Sequence, residues 1–158
     1  MKTNFLFPHR YRKIGWILFI PVFILSILWV IFEFEPGFLD INVISLFNDE
    51  FLRDMQIVVI IENNIADEIL GILLIVSSLF IAFSKEKNED EFISKIRLES
   101  LVWATYINYA ILILAFIFIY NMIFFWVAVF NMFTILIFFI IRYNWALYKL
   151  KKSMGHEE

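Results

Sequence analysis

Nineteen consecutive residues, Ile14 to Phe32, carry no charge and are bracketed by Lys13 and Glu33. A helix advances about 1.5 Å per residue, so a run of this length crosses the roughly 30 Å hydrocarbon core of a bilayer. Three more apolar runs follow, at about 65–84, 98–120 and 123–141. With 62% hydrophobic residues in 158, a soluble fold would lack the polar surface to hide them. The chain is therefore expected to be all-α, a polytopic membrane protein with one four-helix transmembrane domain over 1–158. Its four spans form a bundle, with a short extracytoplasmic segment at 33–64 between the first two.

Pro21 inside the first run is tolerated in a membrane helix and marks a bend. Basic residues precede this run, as in a secretory signal. The run exceeds a typical signal core, however, and FEFEPG offers no small-residue cleavage site. It is read as an uncleaved anchor.

Orientation follows from Lys and Arg beside each span. Lys2, Arg10, Arg12 and Lys13 precede the first run, and Lys85, Lys87, Lys95 and Arg97 separate the second from the third. Arg142, Lys149, Lys151 and Lys152 follow the fourth. Only Arg53 lies in the segment after the first run, so twelve of thirteen basic residues share one side in a four-span topology. Both termini are then cytoplasmic, and the expected location is the bacterial cytoplasmic (inner) membrane. All five tryptophans fall near span ends, at the headgroup depth indole rings prefer.

The segment 33–64 carries seven acids against Arg53. Ile44, Phe47, Phe51 and Met55 recur at helical spacing, which predicts a short amphipathic helix on the outer surface. The β-branched run Ile57–Ile61 reads either as a strand or as apolar packing. The acids either receive a cationic ligand or metal or are simply solvated; the second is the expectation.

No cysteine is present, which excludes disulfides, thiolate catalysis and Cys-ligated clusters. His9 and His156 lie outside the apolar runs, which excludes bis-histidine haem in the membrane. No catalytic, cofactor or metal residues are assigned. The polar residues that remain are Asp67 and Glu68, Asn108 and Thr134, and Glu99 and Arg142. Asp67 and Glu68 occupy the first turn of the second helix, behind Asn64 as its N-cap. Asn121 and Met122 are read as the turn of a tight helical hairpin, which places Glu99 level with Arg142 and Asn108 level with Thr134. Helical phase sets Glu99 and Asn108 about 180° apart. Glu99 is expected to meet Arg142, and Asn108 to face the first or second span. The connection KEKNEDEFISKIRLES has i,i+4 pairs of opposite charge and is expected to stay helical.

The stretch from Ile65 to Ile113 resembles a group of uncharacterised small bacterial four-span inner-membrane proteins, often encoded beside a small helix-turn-helix regulator. The likeness rests on Asp67-Glu68-Ile69, on the connector Glu86 to Glu91, and on Ser100 to Tyr109. From this stretch the resemblance extends over roughly the last two-thirds of the chain, and it implies no activity. The expected function is non-enzymatic: a sensory or protein-interaction component in the lipid bilayer. A protein partner would bind through the cytoplasmic 85–97 connector, and homo-oligomers and no nucleic acid are envisaged. The alternatives are a small homo-oligomeric transporter using Glu99 and an intramembrane lipid-modifying enzyme.

Overall fold

A computed structural model describes residues 5–32, 36–48, 56–87 and 89–154. Among these residues the fold is mostly helical, with four helices and one small sheet. Helix α1 covers His9–Phe32, α2 Ala66–Ala82, α3 Glu91–Phe118 and α4 Asn121–Met154. Three of these are long and apolar enough to cross a membrane: α1, α3 and, over Asn121–Lys152, α4. Their apolar side chains are largely exposed, Phe32 and Phe118 among them. An apolar surface of that extent is stable only against lipid or another apolar surface, and it marks the chain as a membrane protein. Helix α2 is shorter, at 17 residues.

The outer segment departs from expectation. Val43 to Asn48 is not helical but part of a strand, β1 Asp40–Asn48, which pairs antiparallel with β2 Gln56–Asn64. In this register Ile44 faces Ile60 and Asn42 faces Glu62. The β-branched residues on both strands suit a pleated ribbon, and cross-strand pairing outweighs a helical spacing carried by few positions. The second half of the expected amphipathic helix, 49–55, lies outside the described residues.

The described residues group into two compact units, Met1–Phe19 with Ile75–Glu158, and Ile20–Leu74. In the first unit α3 and α4 form the expected hairpin. Its link is Ile119–Tyr120, two residues earlier than the sequence suggests, because Asn121 already opens α4. Asn121 has φ of 59°, a left-handed conformation that asparagine adopts more readily than most residues. At the other end Phe7 runs beside the end of α2, its N–H donating to the Phe83 carbonyl at 2.9 Å. The Lys85 N–H returns a 2.9 Å bond to the Phe7 carbonyl. Nearby, a Cβ added at Gly15 would lie 2.9 Å from the Ile81 side chain. Glycine is what permits this close approach of α1 to α2.

In the second unit a 3₁₀ turn, Gly37–Leu39, leads from the α1 side into β1. Asn64 closes the hairpin base, donating to Asp40 Oδ1 at 2.6 Å and to the Pro36 carbonyl at 3.0 Å. Its own Oδ1 accepts from the Ala66 N–H, satisfying a free donor at the start of α2.

Candidate functional site

The connection between α2 and α3 is not the continuous helix that its charge pattern suggests. Residues 83–87, 89 and 90 are non-helical, and α3 starts afresh behind Asp90, whose carboxylate accepts from the Ile93 N–H at 2.7 Å. An N-cap of this kind defines a new helix start. The break lets the connector fold inward, and its acids become the centre of a buried ionic cluster.

Arg97 on α3 is the hub. Its Nη1 donates to Glu89 Oε1 at 2.6 Å and its Nη2 to Glu89 Oε2 at 3.1 Å. Nη2 also reaches the Ser84 carbonyl at 3.2 Å and the Tyr143 hydroxyl at 2.9 Å. The Arg97 side chain is only 8% exposed, so such a charge requires partners of this quality. On the other flank Arg12 of α1 pairs with Glu86 and donates to Asn144 Oδ1 at 2.8 Å. Tyr143 links the halves: its hydroxyl donates to Glu86 Oε1 at 3.4 Å, and its ring lies 5.2 Å from the Arg97 guanidinium carbon. Below it Phe139 stacks on Tyr143, and Phe83 on Phe139. Two arginines and two glutamates thus form a neutral cluster at one end of the hairpin, tying α1, the connector, α3 and α4 together.

A second polar group sits between α3 and α4. Asn108 and Asn131 exchange amide hydrogen bonds of 3.1 and 3.2 Å, and the Thr134 hydroxyl donates to Asn108 Oδ1. Asn108 and Thr134 meet at the shared depth expected of them. The expected direction of Asn108 is corrected, since it faces α4 and not α1 or α2. Its partner on α4 supplies both a donor and an acceptor, which an apolar helix face could not.

Glu99 and Arg142 do not pair. Glu99 is largely exposed, and its ionic neighbour is Lys95, one turn back on α3, at 4.0 Å. The Arg142 guanidinium instead lies 5.5 Å from the Trp103 ring and 5.4 Å from the Trp145 ring. Flat cations stack well on indole faces, and two indoles flanking one arginine outweigh an exposed carboxylate. Asp67 and Glu68 do occupy the first turn of α2, and Glu68 accepts from Asn63 Nδ2 at 2.8 Å.

Two hollows lie in the second unit and share Trp29 as a wall. One, of about 450 Å³, is lined by Asp40, Glu62, Asn63, Asn64 and Asp67. The other, of about 700 Å³, has a wholly apolar lining that includes Leu25, Leu28, Phe32, Phe38 and Ile69. Among the described residues the buried Trp29 Nε1 has no hydrogen-bond partner. Among the described residues no three His, Asp or Glu side chains gather as metal ligands would.

Comparison with protein families, with characterised proteins and with solved structures returns no match. From sequence, Arg12 and Arg97 stand only as orienting charges, Glu86 and Glu89 only as connector acids and Trp29 only as a headgroup-belt residue, while Tyr143 is not singled out at all. A usable signal did exist for Arg12 and Arg97: each stands within two residues of a long apolar run, a position where a cation benefits most from a carboxylate.

Proposed function

We propose that the chain is a four-pass, non-enzymatic protein of the bacterial inner membrane that associates with another protein through its outer β-hairpin. The observation carrying this is the hairpin's open face. Ile44, Val58 and Ile60 stand on it 71%, 63% and 69% exposed, and alternation along paired strands places them together. Toward the hairpin base the same face continues into Asn42 and Glu62, then Asp40 and Asn64. An apolar centre with a polar margin is the anatomy of a protein interface. The acidic margin disfavours anionic lipid headgroups and favours a partner with basic residues around an apolar patch. The connector is the weaker docking surface, since Glu86, Glu89 and Arg97 are occupied with one another and with Arg12 and Tyr143.

Topology in this proposal follows the distribution of basic residues. Helix α2, at 17 residues, meets the lower limit for a span, and the hairpin lies outside the cell. Reporter fusions near Asn48 and Asn88 test this, with the first expected to be active only outside and the second only inside. For the interface, a photo-crosslinking residue at position 58 in native membranes should yield one protein adduct of fixed mass. Replacing Ile44 and Ile60 with serine should abolish it. Adducts to lipid alone, or to a second copy of the chain alone, would refute a heterologous partner.

A further inference from the structure

We infer that Arg142 and Lys149, held against Trp103 and Trp145, form a site for the headgroup of an anionic phospholipid. Arg142 directly follows the apolar run 123–141, and Trp103 stands in the first turns of the run 98–120. Both runs belong to helices long and apolar enough to cross a membrane, so the site falls at the headgroup layer, where indole rings settle. Among the described residues neither Arg142 nor Lys149 has a carboxylate within ion-pair distance. An acid is close at hand: Glu99 stands one turn before Trp103, yet its ionic neighbour is Lys95 at 4.0 Å. The two cations on α4 are left without a counter-ion from the chain.

A lone cation at a span end usually stretches its long side chain out to water. Arg142 is instead kept beside the helices, its guanidinium carbon 5.5 Å from the Trp103 ring and 5.4 Å from the Trp145 ring. Ring contacts of this kind leave the N–H donors of the guanidinium to an oxygen ligand. Residues 142, 145 and 149 share one face of α4, and the Lys149 ammonium sits 3.8 Å from the Trp145 ring. Two cations thus meet on one indole, and a single headgroup reaches both. A phosphodiester accepts from a guanidinium through two oxygens at once. Net charge then selects among lipids. The ammonium of a zwitterionic head would bring a third cation to the site, whereas a glycerol head brings none.

The test uses the full chain in mild detergent, with native mass spectrometry comparing phosphatidylglycerol with phosphatidylcholine of the same acyl chains. One phosphatidylglycerol per chain should be retained in an excess of phosphatidylcholine. Arg142→Gln with Lys149→Gln should weaken binding about tenfold, the scale of lost charge-assisted contacts. Trp103→Leu should weaken it about threefold through the lost ring contact. Arg10→Gln with Lys13→Gln removes equal charge from exposed positions on α1, near where Arg12 meets Asn144 of α4, and should leave affinity unchanged. Lys149→Gln alone alters an exposed side chain and should still weaken binding about threefold, which keeps the test decisive if the double variant unfolds. Thermal melting of each variant separates a lost site from a lost fold. Equal retention of phosphatidylcholine would overturn the inference, as would an equal loss in the Arg10 and Lys13 variant. So would unchanged affinity without Lys149, or displacement of the lipid by millimolar glycerol phosphate, which would assign the site to a free phosphate. The serine variants at Ile44 and Ile60 should leave lipid binding intact, so this site and the hairpin interface fail independently.

Discussion

Arg97 grips both carboxylate oxygens of Glu89 across a broken helix, with contacts of 2.6 and 3.1 Å. The fork geometry matters because the guanidinium is buried and lies in α3, while its carboxylate partner lies in the connector. Removing one member of such a pair leaves the other charge unpaired, which costs about 3 to 5 kcal/mol. Arg97→Met should therefore lower stability in detergent by about 3 kcal/mol, given that Glu89 regains some water. Denaturant or heat unfolding of the purified protein measures this. Arg97→Lys should recover little, because an ammonium cannot span both oxygens and Tyr143 together. Full recovery by lysine would show that charge alone suffices.

Tyr143 is a gentler probe of the same cluster. Tyr143→Phe keeps the stack on Phe139 but deletes an acceptor for Arg97 and a donor to Glu86. The expected loss is about 1 to 2 kcal/mol, the usual cost of leaving a buried polar partner unsatisfied. The loss should be much reduced in an Arg97→Met background, since the two residues share one network. Additive losses in the double variant would disprove the coupling.

Between α3 and α4 the reciprocal amides offer a pairwise test. Asn108→Ala and Asn131→Ala should each cost about 1 kcal/mol, in line with interhelical hydrogen bonds in lipid. Together they should cost little more than either alone, because the first substitution already breaks both 3.1 and 3.2 Å bonds. A double-mutant cycle in detergent or bicelles provides the number. Zero coupling would mean that the amides are satisfied elsewhere.

Gly15 concerns backbone approach. A Cβ there would sit 2.9 to 3.0 Å from Ile81 and Phe80 atoms, backbone included. Side chains can turn aside, but a backbone nitrogen cannot. Gly15→Leu should destabilise by about 2 kcal/mol, within the range for overpacked sites, and Gly15→Ala by less. Thermal unfolding checks both, and an unchanged midpoint for leucine would mean the helices part freely.

How much of this was legible in the sequence depends on the range of the forces involved. The spans at Ile14–Phe32 and in the last two runs follow from solvent preference summed over many residues, and three helices long and apolar enough to cross a membrane appear there. The Asn108–Thr134 depth match follows from counting residues away from a tight turn. What failed rests on a few side chains choosing among partners. Ile44 to Met55 shows a helical spacing, yet 44–48 pairs as a strand because β2 lies opposite. Glu89 looks like the i,i+4 partner of Lys85, but Asp90 restarts the helix; Glu89 meets Arg97, and Glu86 meets Arg12. Arg142 had a carboxylate at its depth and lies instead against two tryptophans. Linear spacing does not encode which of two adequate partners is nearer.

Glu99 gives the cleanest contrast with that buried cluster. A transporter reading would have this carboxylate face a cavity and exchange protons, which requires shielding from bulk water and a partner that changes. Its side chain is 62% exposed and its ionic neighbour, Lys95, is 72% exposed at 4.0 Å. Exposed pairs of this kind contribute about 0 to 1 kcal/mol, less in salt. Glu99→Gln should accordingly shift unfolding by less than about 0.5 kcal/mol, and raising the salt concentration should shrink even that. Proton-coupled flux into proteoliposomes carrying Glu99→Gln should equal that of the unaltered protein. A flux that is present in the native chain and vanishes in the amide variant would restore the transporter and displace the docking function proposed for the hairpin.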